Sequence, residues 1–197
     1  MTTFFLLRHG QTAWNAEKRI QGRTDTGLSP EGLAMAESWA GSLADLELTH
    51  ILASDLARAV RTAEIVGAGR DLPLARDPRL AEQDWGEWTG LSGPELKTLG
   101  KELARCEKKG FGFRPPGGES REEVLFRACD ALLDFAAENP AARALVVTHN
   151  GVIKCLLAAL SGQEFLPGDP PLPGGYRVHR IECFENELAL GGSGPEL

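Results

Sequence analysis

The chain has 197 residues and a net charge of −7, which suits one ordinary domain with a sizeable core. The acidic balance argues against nucleic acid or an anionic membrane as the main partner, while a local pocket can still take a small anion. Cys106, Cys129, Cys155 and Cys183 are widely spaced and residues 4–7 are too short for a signal peptide or membrane span, so a cytoplasmic protein with reduced thiols and no zinc ribbon is expected.

An apolar run, Phe4-Phe5-Leu6-Leu7, stops at Arg8-His9-Gly10, the pattern of a buried strand closed by a turn. A polar, glycine-containing loop is expected over 16–28. Ser29-Pro30-Glu31 starts a helix, because serine is a good N-cap and proline suits the first helical position. Leu33, Ala36, Trp39 (or Ala40) and Leu43 give it an apolar stripe. His50-Ile51-Leu52-Ala53-Ser54 reads as a second buried strand, and 55–66 as a helix that Gly67 and Gly69 end. A weaker strand is expected over 74–80, then a loop rich in Trp and Gly over 81–90. Residues 96–109 read as one helix, and 110–118 as a loop full of breakers. Ser120 and Glu123 form a capping box that opens a helix to about Glu138, where Asn139-Pro140 stops it. Residues 144–149 are the third strong strand and 151–160 a short apolar helix. A loop fills 167–175, 176–184 alternates as an edge strand, and 188–190 pairs with it. The Gly192-Ser193-Gly194-Pro195 tail is expected to fray. Strands alternating with helices predict an α/β fold, a three-layer α/β/α sandwich with a mostly parallel central sheet. No repeat or linker divides the chain, so 1–197 is expected to be a single domain with 91–118 inserted over the active site.

Two strong strands end in histidine, at His9 and His149. Open α/β sheets place ligands at the carboxyl ends of their strands, so Arg8, His9, Arg58 and His149 would meet on one edge. Such a cationic cluster costs stability unless an anion fills it, and the guanidinium fork matches phosphate oxygens bidentately. Helix N-termini on that edge add amide donors. A neutral imidazole is a nucleophile, and nearby guanidinium groups keep it neutral. The combination predicts phosphoryl transfer through a phosphohistidine, with the arginines and second histidine holding the equatorial oxygens. An alkoxide leaving group also needs a proton donor. Glu82, Asp84 and Glu87, beside Trp85 and Trp88, all have the right chemistry. Apolar indoles and a dianionic substrate both favour a protonated carboxyl.

The stretch Leu7-Arg8-His9-Gly10-Gln11-Thr12 resembles the R-H-G-x-T/S signature of the histidine phosphatase superfamily, in its phosphoglycerate-mutase-like branch. The likeness continues in order through Trp14-Asn15, Gln21-Gly22, Asp25-x-x-Leu28-Ser29, Ser54-Asp55-Leu56-x-Arg58-Ala59, Leu80-x-Glu82-x-x-Trp85-Gly86, Pro116-Gly117-Gly118-Glu119-Ser120 and Val147-Thr148-His149. It covers roughly residues 4–160. The resemblance implies His9 as nucleophile, Arg8, Arg58 and His149 as the phosphate pocket, and Glu82 as proton donor. It further implies Asn15, Gln21 and Gly22 near the substrate.

Within that family the expected activity is metal-independent hydrolysis of a small phosphorylated metabolite, with no cofactor, by a monomer or homodimer. A mutase returning the phosphoryl group to a sugar acid is the alternative. Mutases of the family carry Tyr-Gly-x-Leu-x-Gly-Leu-Asn-Lys after the acidic residue, where this chain has Trp85-Gly86-Glu87-Trp88-Thr89-Gly90-Leu91-Ser92-Gly93. Asn150 also replaces the Gly common after the second histidine. A phospho-ligand sensor without catalysis is a third class, opposed by intact His9, Glu82 and His149. Lys97, Lys101, Arg105 and Lys109 recur at i, i+4, either as a solvated face or as a rim that steers anions. His50 and His179 read as structural. Trp14, Trp85 and Trp88 could line the pocket or pack the core. No cluster has metal-ligand spacing, and Gly117-Gly118 lacks the Lys-Ser/Thr of a P-loop.

Overall fold

The computed structural model describes residues 1–194 and 197. Its strands are β1 (Thr2–Arg8), β2 (His50–Ala53), β3 (Leu74–Arg76), β4 (Arg143–Thr148), β5 (His179–Phe184) and β6 (Glu187–Ser193). They form one sheet in the order β3-β2-β4-β1-β5-β6. β3, β2, β4 and β1 run parallel, while β5 pairs antiparallel with both β1 and β6. The helices are α1 (Ala13–Ala16), α2 (Pro30–Ser42), α3 (Ala57–Gly67), α4 (Gly93–Thr98), α5 (Lys101–Glu107), α6 (Arg121–Glu138) and α7 (Asn150–Leu160).

Strand alternation sorts the core into two layers. Phe4 and Leu6, Leu52, Ala144 and Val146 face one side with Val124, Leu132 and Phe135 of α6 and Val152, Cys155 and Leu156 of α7. Phe5 and Leu7, Ile51 and Ala53, Leu145 and Val147 face the other with Ala36 and Trp39 of α2 and Ala59, Ala63 and Val66 of α3. The result is the expected α/β fold, a mostly parallel sheet flanked by helices. Ser29 and Ser120 cap α2 and α6 as the sequence predicts, the latter in a full capping box. The turn after β1 is held tightly against α2. A Cβ on Gly10 would lie 2.6 Å from the Gly32 carbonyl oxygen, so both positions require glycine.

Four elements differ from their sequence expectation. The helix expected over 96–109 is two helices, because Gly100 breaks it with φ +42°. Leu96, Leu99 and Leu103 turn inward onto Trp88, Cys106 and Phe113 as a small separate core, and the i, i+4 basic stripe is thereby interrupted. The strand over 74–80 ends at Arg76, since Asp77 and Pro78 open a 3-10 turn, Pro78–Leu80. β5 starts at His179 and is covered on both sides, so β6 and not β5 is the edge. The tail expected to fray is in β6 through Ser193, and Pro195 lies outside the described residues.

Candidate active site

The carboxyl ends of β1, β2 and β4 bring His9, Ser54 and His149 side by side. The His9 backbone N–H bonds the Thr148 carbonyl at 3.0 Å, and the His9 and His149 ring centroids are 5.0 Å apart. His9 Nδ1 lies 2.7 Å from the Gly10 carbonyl oxygen. A carbonyl only accepts, so Nδ1 carries the proton and Nε2 keeps its lone pair. Arg58 Nε donates to that Nε2 at 3.2 Å. The rest of the Arg58 guanidinium is fixed by the Thr24 and Gly22 carbonyls at 2.8 and 2.7 Å, and the side chain is 1 % exposed. Leu56, at the N-cap of α3, offers no side-chain cap. The Asp25 carboxylate replaces it by accepting from the Ala57 and Arg58 backbone N–H groups, and it also lies 3.5 Å from Arg58 Nη1.

His149 is fully buried as the residue before α7. Its Nε2 is 2.8 Å from Ser54 Oγ. Among the described residues, that Nε2 is the one acceptor the structure gives the Ser54 O–H, whose oxygen accepts from Leu56 N–H; a bond in this direction puts the proton of His149 on Nδ1. Among the described residues, three buried side-chain nitrogens lack a partner, and two are His149 Nδ1 and Arg8 Nε. Unpaired buried donors are costly. Two of them beside His9 mark a place for an anion.

Burial, then the charges of Arg58 and Arg8, hold the His9 pKa well below the usual imidazole value. His149 is held down by burial, then by His9, Arg58, Arg127 and Arg8. The unfolded chain takes up protons at these imidazoles below about pH 6.5, whereas the folded chain does not. Stability is therefore full above about pH 6.5 and falls as pH drops, by up to about 1.4 kcal/mol per pH unit for each imidazole. Urea midpoints at pH 7.5, 6 and 5 should fall accordingly, and a variant carrying both His9→Asn and His149→Asn should fall less steeply. Parallel curves would contradict the assignment of buried neutral imidazoles.

A cavity of about 140 Å³ above His9 is walled by Arg8, Asn15, Gln21, Gly22, Arg58 and Glu82, along with Trp85 and Asn150. Of the three candidate carboxylates, only Glu82 lies there. Its oxygens accept from Gln83 N–H at 2.9 Å and from Gly151 N–H, in the first turn of α7, at 3.2 Å. A Cβ on Gly151 would fall 2.2 Å from Glu82 Oε1, so this glycine sets the carboxylate position. Asp84 instead caps the Gly86 N–H at 2.9 Å, and Glu87 is exposed. Trp85 reaches the cavity, Trp88 is in the small core, and Trp14 packs over Gly90. His149 is not among the residues that line the cavity, and its ring lies beside that of His9. The basic stripe, His50 and His179 do not line this cavity. Another cavity, of about 620 Å³, lies against β5 and β6 and is lined by none of His9, Arg58, Glu82 and His149.

Sequence reasoning missed the supports. Arg127 Nε and Nη2 grip both oxygens of Glu119 at 2.8 and 2.9 Å, and Arg127 also bonds the Arg79 and Glu82 carbonyls. Glu119 in turn donates its backbone N–H to the Asp84 carbonyl, and its own carbonyl accepts from the Gln83 side-chain amide, which pins the loop that carries Glu82. Glu119, Asp25 and Ser54 all stood inside recognised motifs, and that was the available signal for them. Arg127 had none.

The sequence model of the histidine phosphatase superfamily (branch 1) matches residues 4–183, and the chain belongs to that family. Among curated relatives, "Probable phosphoglycerate mutase GpmB" of Cronobacter sakazakii is 38 % identical over 169 residues, 82 % of this chain and 76 % of that protein. Among solved structures, YhfR of Bacillus stearothermophilus is 33 % identical with a TM-score of 0.84, covering 96 % of this chain and 95 % of that one. A mycobacterial glucosyl-3-phosphoglycerate phosphatase in complex with VO3 is 29 % identical with a TM-score of 0.82, covering 95 % and 96 %.

Proposed function

We propose that this chain is a metal-independent phosphomonoester hydrolase acting on a small phosphorylated metabolite through a phosphohistidine. The observation that carries this reading is the neutral, Nδ1-protonated His9 whose Nε2 lone pair faces Arg58 beside an unpaired Arg8. His9 Nε2 attacks phosphorus, and the P–N bond forms as the P–O bond to the alcohol breaks. Glu82 gives its proton to the departing alkoxide. Arg8, Arg58 and the His149 Nδ1–H take the equatorial oxygens, where charge develops. Ionised Glu82 then takes a proton from water, whose oxygen attacks phosphorus, and cleavage of the P–N bond releases phosphate and restores His9. Asn15, Gln21 and Gly22 line the cavity as substrate contacts. No step uses a metal or cofactor.

We also read 1–197 as one domain, with the segment 91–118 laid beside the site on its own small core. A cytoplasmic location suits its four free cysteines. No described helix is long and apolar enough to cross a membrane.

Mutase activity is the second reading, favoured by the name of the curated relative. The 85–93 stretch, without the mutase lysine, supports hydrolysis instead. The deciding experiment measures phosphate release from p-nitrophenyl phosphate and from a panel of phosphomonoesters, with and without chelator, alongside a phosphoglycerate mutase assay. Chelator-insensitive release without isomerisation is the expected result; isomerisation without release would replace it with the mutase. Glu82→Gln should slow alkyl phosphates by about 10² to 10⁴-fold and aryl phosphates much less, because a phenolate leaves without a proton. Equal losses on both would remove Glu82 from the acid role.

A further inference from the structure

The parallel strands do not supply every group at this edge of the sheet. β5 runs antiparallel to β1, with Leu6 opposite His179. The edge where β1 ends is therefore the edge where β5 begins, and the same register continued brings residues 176 and 177 alongside Arg8. The Arg8 guanidinium carbon lies over the Tyr176 ring, 5.1 Å from its centroid, inside the range of a cation–π contact. The ring is itself held. Its centroid is 5.6 Å from that of Trp39 in α2, and it packs against the core layer that contains Trp39 and Val178. Tyr176 stands in none of the motifs that carry the family resemblance.

The two arginines beside His9 are fixed by different means. Arg58 spends Nε on His9, Nη1 on the Thr24 carbonyl and Nη2 on the Gly22 carbonyl. Arg8 is half-buried, and its buried Nε has no hydrogen-bond partner among the described residues. A hydrogen-bonded anchor consumes the N–H donors of a guanidinium. An aromatic ring attracts the cation through its quadrupole and needs none of them. Arg8 is thereby restrained on the wall of the cavity above His9 with its planar fork left for the oxygens of one anion. Without the ring, the side chain would lose its rotamer freedom only as the anion arrives, and that ordering weakens binding.

We propose that Tyr176 is a positioning residue for the phosphoryl group: its ring holds the Arg8 guanidinium in place and leaves the N–H donors free for the phosphate oxygens. This role rests on the hydrolase reading for the identity of the anion, although a phosphate site without catalysis would use the same pair.

The test is a double-mutant cycle read by the affinity for inorganic phosphate, titrated by ³¹P NMR. Tyr176→Leu keeps apolar bulk against Trp39 and removes the quadrupole. It should weaken the phosphate Kd by about three- to tenfold. Tyr176→Met, a second variant without a ring, is held to the same outcome. Tyr176→Phe keeps the ring and should stay within about twofold of the wild type. In an Arg8→Met background, Tyr176→Leu should change the Kd by less than about twofold, because the group it positions is gone. The same cycle in kcat/KM for p-nitrophenyl phosphate should show the same coupling. A loss of equal size with and without Arg8 makes Tyr176 a packing residue and overturns the positioning role. So does wild-type affinity in both ringless variants, or a Tyr176→Phe loss as large as theirs. Coupling in phosphate affinity without hydrolysis of any ester removes the hydrolase reading and leaves the positioning role standing. Hydrolysis without coupling removes the positioning role alone. A chain that neither binds phosphate nor hydrolyses the ester overturns both.

Discussion

His9→Asn lowers kcat/KM for p-nitrophenyl phosphate by at least about 10⁴-fold. Asparagine keeps a polar group of similar reach at the end of β1 but has no basic nitrogen lone pair to attack phosphorus. Arg8 and Arg58 remain, and by themselves they can orient a phosphate without providing the covalent intermediate. The size of the effect follows from the role of Nε2. Nδ1 is tied to the Gly10 carbonyl at 2.7 Å, so the ring cannot present its other nitrogen. Burial and both arginines keep the imidazole unprotonated, so the lone pair is available throughout the neutral range. A rapid-quench experiment separates this from a binding defect. Wild-type protein mixed with labelled ester should hold an acid-labile phosphoryl group, as expected of a phosphoramidate, and His9→Asn should hold none. Activity within tenfold of wild type, or a labelled intermediate in the variant, would move the nucleophile elsewhere.

The sheet and the site were legible in the sequence to different depths. Runs such as Phe4-Phe5-Leu6-Leu7 and Ala144-Leu145-Val146-Val147 announce strands buried on both faces, and a parallel sheet gathers their carboxyl ends. That rule alone is enough to join His9 to His149. Arg58 followed because it opens the helix after β2. Contacts between distant segments were hidden. The Asp25 carboxylate caps α3 from 32 residues away, and nothing local to Leu56 hints at it. Gly151 reads as an ordinary helix residue until the place its Cβ would take is seen to be filled by the Glu82 carboxylate. Arg127 sits in an amphipathic helix whose pattern says only that it is polar, yet it clamps Glu119 and the carbonyl of Glu82. The break at Gly100 was also obscured, because Leu96, Leu99 and Leu103 satisfy a helical period whether or not the helix is continuous. Residue type and order thus pointed to the groups that meet around His9. Which groups aim them depends on long-range packing that a linear pattern does not encode.

Arg58→Met lowers kcat/KM by about 10³-fold and raises the pKa of His9. The two effects have one cause. After burial, Arg58 is the largest influence holding the imidazole neutral, so its removal lets His9 protonate at higher pH. A protonated imidazole cannot attack, and the acid limb of kcat/KM moves upward in pH. The ¹⁵N shift of His9 Nε2 in the free protein reports this directly, without interference from substrate ionisation. Loss of the guanidinium also strips donors from the Gly22 and Thr24 carbonyls, now bonded at 2.7 and 2.8 Å. A buried carbonyl left unpaired costs about 1–3 kcal/mol, so the urea midpoint should drop as well. Arg58→Lys distinguishes charge from geometry. An ammonium still opposes protonation of His9, so the titration should return most of the way to wild type. It cannot reach His9, Gly22 and Thr24 together as the planar fork does, so most of the lost rate should stay lost. If Arg58→Lys recovered rate and titration together, charge alone would account for Arg58. If Arg58→Met left the His9 titration in place, burial alone would keep the nucleophile neutral and Arg58 would act only on the phosphate.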